Sequence, residues 1–107
     1  MAKIAALAPD LLLGSKVEAM LKAAGHNVKL SPSLADAPLG GVELVVADLD
    51  AESPTALASL GIPILGYYSH VNAETKKASE AAGVDLVVPR SRMARELVTL
   101  VAGLLSA

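Results

Sequence analysis

Two aspartates define the chemistry this chain could attempt. Asp10 follows one short apolar run and Asp48 closes another, with Asp50 and Glu52 just beyond. Carboxylates brought together without a cation repel, and each raises the other's pKa. Asp10 with Asp48 could therefore hold a hard divalent cation such as Mg2+, which takes one or two carboxylates and fills its shell with water. The alternative is that Asp10, Asp48 and Asp50 cap loops and helix starts, a use to which the short Asp acceptor is well suited. A cationic segment stands further along. Pro89-Arg90-Ser91-Arg92-Met93-Ala94-Arg95-Glu96 puts three arginines where a helix begins, the end at which the macrodipole disfavours cations. They either contact an anion or acidic partner, or pair with Asp85, Glu96 or the aspartates above. Arg90 directly follows an apolar run and is the one expected to face those aspartates.

Other chemistries are disfavoured by what is missing. With no cysteine there is no disulfide, thiolate nucleophile, Fe–S cluster or Cys-type zinc site. His26 and His70 are too far apart for a local metal motif, and Ser69-His70 is an isolated pair with no triad around it. The segment Pro9-Asp10-Leu11-Leu12-Leu13-Gly14-Ser15 carries neither G-x-G-x-x-G nor G-x-x-x-x-G-K-[ST], so a dinucleotide or nucleoside-triphosphate enzyme is disfavoured.

The elements that must position these residues are legible as five apolar runs of strand length, at 3–8, 27–31, 42–48, 62–67 and 84–88. Around Ile4–Leu7, Leu44–Val46 and Leu86–Val88 the runs are continuous rather than alternating, as in strands covered on both faces. Between them lies helical spacing. Leu13, Val17, Met20, Leu21 and Ala24 form one stripe, with Ser15-x-x-Glu18 as a possible capping box and Gly25 as the stop. Ser53-Pro54 opens a helix of a turn or two, and 32–41 admits only a short helix near 34–37. Asn72 caps 73–82 with Gly83 after it. Ser91 begins a last helix striped by Met93, Leu97, Leu100, Val101 and Leu104. The reading is α/β: a single doubly wound five-stranded parallel sheet, order 2-1-3-4-5, of the flavodoxin-like type, with shortened helices after strands 2 and 3. Ile4, Leu7, Leu44, Val46, Ile64, Leu86 and Val88 are expected to be buried. Functional residues belong at the carboxyl ends of strands 1, 3 and 4.

Composition narrows the class. The 107 residues are 53% hydrophobic and 19% charged, which excludes a disordered chain and suits one domain over 1–107. A net charge of -2 disfavours nucleic-acid binding, and Tyr67 and Tyr68 as the only aromatics make a base- or flavin-stacking platform improbable. No run reaches the ~20 apolar residues needed to span a bilayer, and no export signal is recognisable. A soluble, cytoplasmic protein with no membrane partner is expected.

The whole chain resembles the receiver domain of two-component response regulators, a CheY-like fold. Leu44-Val45-Val46-Ala47-Asp48-Leu49 is similar to the strand-3 segment in which that family carries its phosphoacceptor, so the resemblance implies Asp48 in that role. Pro63-Ile64-Leu65 through His70-Val71, an Ala-rich helix and Ala82-Gly83-Val84-Asp85 are similar to the family's β4-α4-β5 passage. Asp10 falls on the second of two acidic positions that hold Mg2+, implying Asp10 and Asp48 as metal ligands. The departures are as informative. The first acidic position is Pro9. The small hydroxyl residue falls on Tyr68, or on Ser69 if the register slips by one. The Lys-Pro pair falls on Arg90-Ser91, and Arg is a planar fork rather than a point charge. Arg90, Tyr68 and Ser69 thereby become the candidate phosphoryl or anion contacts. The pattern resembles atypical or pseudo-receivers.

The resemblance implies a stand-alone signal-transduction or protein-interaction module rather than an enzyme, with a histidine kinase or downstream signalling protein as partner in a bacterial phosphorelay. Asp phosphorylation is expected to be impaired or absent. The helices after strands 4 and 5 add a second surface. Ala78, Ala81 and Ala82 give a flat face, and Val98 and Leu105 lie beside the core stripe, so a homodimer through these two helices is expected, with Arg92 and Arg95 at the interface. The alternative from another class is a small-ligand or cofactor-binding flavodoxin-like domain. An enzyme acting through Asp10, Asp48 and Arg90 on a phosphorylated compound is weaker, since no general base can be named.

Overall fold

A computed structural model describes residues 2–69 and 73–106. Its elements alternate in the order β1 (Lys3–Leu7), α1 (Leu11–Ala23), β2 (Asn27–Ser31), a 3-10 turn (Leu34–Asp36), β3 (Leu44–Asp48), α2 (Pro54–Ala58), β4 (Ile64–Tyr68), α3 (Ala73–Ala82), β5 (Leu86–Pro89) and α4 (Arg90–Leu105). All five strands are parallel and ordered β2-β1-β3-β4-β5. The two connections expected to be short are three and five helical residues long.

The sheet divides the apolar side chains into two cores. Alternate strand residues Ile4, Leu44, Val46, Leu65, Tyr67 and Val88 meet α1 and α4 on one face. Their neighbours Leu7, Val45, Ala47, Ile64, Tyr68 and Val87 meet the α2 and α3 side on the other. Burial on both faces is why these strands read as unbroken apolar runs. Six of the seven side chains expected to be buried are so; Leu86 is only half-buried, because β5 is an edge strand. No helix among the described residues is long and apolar enough to cross a membrane.

Helix boundaries follow local chemistry, with two corrections. The capping box at Ser15 does not form. Asp10 is the N-cap of α1, its Oδ1 accepting from the N–H groups of Leu12 and Leu13 at 3.0 and 3.3 Å, so the helix starts one turn earlier. The last helix begins at Arg90 rather than Ser91, directly from the strand, with Pro89 as an N-cap that offers no side-chain acceptor. Ser53 and Pro54 do open α2. Gly25 and Gly83, at φ 95° and 103°, end α1 and α3. In each the glycine N–H and the next N–H bond back to the last helical turn, a left-handed stop that only glycine adopts without strain. Strand ends also shift: β3, β4 and β5 begin two residues later than expected, and β4 runs on to Tyr68. The Asn72 cap lies outside the described residues.

Candidate functional site

The carboxyl ends of β1, β3, β4 and β5 open on one side of the sheet, bringing Asp10, Asp48, Tyr68-Ser69 and Arg90 to the same edge. Arg90 crosses this edge. Its Nη2 donates to Asp10 Oδ2 at 2.8 Å, with both side chains about two-fifths exposed (40% and 43%). That bond, more than the two N–H groups on Oδ1, holds the Asp10 carboxyl below the ordinary carboxylate value.

Asp48 stands opposite Tyr67 in the β3–β4 register, on the α1/α4 side of the sheet. It is half-buried, and its Oδ1 accepts from the Asp50 N–H at 2.8 Å. Burial pushes its carboxyl up. The Asp50 N–H and the Arg90 charge oppose this, while the Asp50 charge adds to it. Tyr67 is buried beside it, and its hydroxyl has no hydrogen-bond partner among the described residues. Burial, then the Asp48 charge, raise the phenol far above its usual value.

The acidic residues after β3 act as braces. Asp50 Oδ2 accepts from the N–H and hydroxyl of Ser69 at 2.8 and 2.6 Å, tying this loop to the end of β4. Glu52 Oε2 accepts from the Leu34 N–H at 3.1 Å and fixes the 3-10 turn. Asp85 accepts from the Ile64 N–H at 2.8 Å rather than from an arginine. Leu49 is held in turn by Gly66, whose missing Cβ leaves room for it: a Cβ there would lie 2.7 Å from a Leu49 methyl carbon.

Tyr68 ends β4 opposite Pro89, and Ser69 follows the strand. The ring of Tyr68 is buried in the second core. The other two arginines pair locally, Arg92 and Arg95 both reaching Glu96 Oε2, at 3.4 and 3.6 Å. Leu105 is a correction: it is half-buried and packed against the α1/α4 core, not free beside it. Val98 is 40% exposed. His70 lies outside the described residues.

Sequence reasoning missed two features. Leu11 and Leu12 are 70% and 81% exposed at the start of α1. The signal was present, since three consecutive leucines at a helix start cannot all join a stripe that begins at Leu13. The buried Tyr67 hydroxyl was also missed; it shares a face with Asp48 through the β3–β4 register, which no local spacing encodes.

No family model and no curated protein sequence matches the chain. Solved structures do match. A response regulator receiver domain protein from Clostridium thermocellum superposes at TM-score 0.85 with 11% identity, covering 99% of this chain and 95% of that one. Vibrio cholerae chemotaxis protein CheY4 matches at 0.81 and 19% identity, covering 97% and 98%. HP1043, an orphan response regulator of H. pylori, matches at 0.81 and 18%, covering 97% and 96%. The fold is that of a receiver domain.

The receiver fold implies Mg2+ at its acidic edge, but the donors present here do not make a good cation site. Both Asp10 oxygens are engaged, one by the α1 N-terminus and one by Arg90, and one Asp48 oxygen is taken by Asp50. Asp50 and Glu52 are bound elsewhere, Pro9 supplies no ligand, and the described residues contain no cluster of three metal-ligating side chains. A cation would have to displace a guanidinium that already supplies the compensating charge.

Proposed function

We propose that the chain is a receiver-like module, residues 1–107 acting as one domain, that transmits a signal by binding a protein partner while phosphorylation of Asp48 is impaired or absent. The observation that carries this reading is the Arg90–Asp10 bond. It engages the oxygen a metal would need and commits the cation of the site to Asp10. Carboxylate attack on phosphorus requires metal and preorganised donors on the phosphoryl oxygens. With the Tyr68 ring packed in the core and the Ser69 hydroxyl bound to Asp50, neither side chain is poised for that task. Losing one such donor costs ~2.7–4 kcal/mol in a transition state, a hundredfold or more in rate.

The partner in this reading is a histidine kinase or a downstream signalling protein in the cytoplasm of a bacterial cell, and the chain has no enzymatic turnover of its own. A homodimer through α3 and α4 belongs to the same reading, with Val98 as its apolar anchor and Arg92 and Arg95 at its rim. Incubation with acetyl phosphate and Mg2+, read by intact mass, tests the central claim. An unchanged mass with the fold intact is expected. Stoichiometric, Asp48-dependent addition of one phosphoryl group within minutes would overturn it.

A further inference from the structure

Beside the aspartates, between the starts of α1 and α4, lies a cavity of about 380 Å3. This is the lower end of the size range of small-molecule sites. Its walls are apolar, formed by Leu13, Tyr68, Pro89 and Ala94. Its polar groups are Arg90 and Ser91 at the start of α4, with Ser69 across from them. Asp48 is not part of the lining, so the cavity is not the place where a phosphoryl group would be attached.

The cation is only partly used. A guanidinium offers five N–H donors in a planar fork, and Asp10 engages one of its terminal nitrogens. The first turn of α4 contains no acidic residue and no side-chain cap, so no local carboxylate competes for the mouth of the cavity from that helix. One guanidinium, already shared with Asp10, suits a single negative charge better than a dianion. Its fork matches a carboxylate. We propose that this cavity binds a small amphipathic carboxylate, its head group on Arg90 and Ser91 and its apolar body against Leu13 and Ala94. Such a ligand would give the module an input that needs no phosphoryl transfer. Because Asp48 lies outside the cavity, this inference and the phosphorylation reading fail independently.

The test is an NMR titration of the full chain with hexanoate, using hexanamide as the neutral isostere and inorganic phosphate as the head group without a body. Hexanoate is expected to shift the amide signals of Leu13, Ser91 and Ala94 saturably, with hexanamide about tenfold weaker or worse, as for loss of a charge-assisted bond. Phosphate should leave these signals unmoved. Ala94→Leu fills the apolar wall without touching the Arg90–Asp10 pair and should abolish binding, and Arg90→Gln should erase the preference for carboxylate over amide. Absence of saturable shifts at millimolar hexanoate overturns the proposal. So does equal binding of hexanamide or phosphate, or hexanoate binding that survives Ala94→Leu in a variant whose spectrum is otherwise native.

Discussion

Arg90 Nη2 donates to Asp10 Oδ2 at 2.8 Å, joining the first residue of α4 to the N-cap of α1 across eighty positions of sequence. An exposed ion pair of this kind adds little to stability. Its consequence is electrostatic. The carboxylate that a cation would need is already neutralised by a fixed positive charge, whereas Asp48 is left half-buried, and burial disfavours its charge.

Wild-type protein is therefore expected to bind Mg2+ weakly, without saturation at low millimolar concentration by calorimetry. Arg90→Gln frees the Asp10 oxygen and removes a competing charge, and should bind Mg2+ more tightly than wild type. Saturation of wild type at submillimolar Mg2+, or no gain in the variant, would show that Arg90 does not block the cation.

Acid acts on the two aspartates in opposite senses. Burial, the larger cause, raises Asp48, so the native chain holds that proton more tightly than the unfolded chain. Its effect is a loss of stability as pH rises from the ordinary value of 3.8 through the raised one, fully present at neutral pH. Asp10 is lowered by Arg90; its contribution is complete above 3.8 and is lost as pH falls through the lowered value. Asp48→Asn keeps an oxygen for the Asp50 N–H and removes the charge. It should melt a few degrees higher than wild type at neutral pH, with the gain disappearing once acid has protonated Asp48 in the native chain. Calorimetry across a pH series checks both parts. A neutral-pH melting temperature at or below wild type would mean that the ionised carboxylate is not strained.

Tyr67 buries a hydroxyl with no partner among the described residues. An unmet buried hydroxyl costs ~1–3 kcal/mol, and its removal leaves the ring packing intact. Tyr67→Phe is accordingly expected to be neutral or stabilising in urea unfolding, and unfolding without a change in the denaturant slope would keep the comparison valid. A loss of more than ~1 kcal/mol would mean that the hydroxyl is hydrogen-bonded, for example through an ordered water.

Gly66→Ala probes how the Asp48 loop is held. Its Cβ would meet Leu49 side-chain atoms at 2.7 to 2.8 Å, and Leu49 lies between Asp48 and the Asp50 that binds Ser69. Overpacking of this kind costs ~1–3 kcal/mol. The amide signals of Asp50 and Ser69 should move with it. A stable variant with an unchanged spectrum would show that Leu49 relocates without disturbing the loop.

The strands were legible because burial on both faces removes polar residues from Leu44–Val46 and its neighbours, a signal carried by adjacent residues. Gly25 and Gly83 were legible for the same local reason: a positive φ selects its residue. The start of α1 was misread because Asp10 and Leu11–Leu13 sit inside an apolar run, while Ser15-x-x-Glu18 offered a competing pattern one turn later. The Arg90–Asp10 bond could only be guessed, since it depends on the relative placement of β1 and β5, which are not neighbours in the sheet. The cavity was out of reach for a related reason: its walls come from four elements and the loop after β4, and no local spacing encodes their gap.

Self-association separates the two apolar surfaces that remain. With Leu105 packed on the core, the large exposed apolar side chains among the described residues are Val98 on α4 and Leu11 and Leu12 at the start of α1. A homodimer through α3 and α4 requires Val98 to be covered by the partner, with the flat alanines of α3 close enough to add contact. A charge at a buried interface position is left without water or a counter-ion and is strongly unfavourable. Val98→Asp should shift a wild-type dimer to monomer in sedimentation equilibrium at high micromolar concentration, while Leu12→Asp should leave the dimer intact. Neither substitution touches the core, so both variants should melt close to wild type. A monomeric wild type removes the dimer altogether. Dissociation by Leu12→Asp and not by Val98→Asp would move the interface to the α1 end of the molecule, beside the cavity, and α3 and α4 would then be free for another partner.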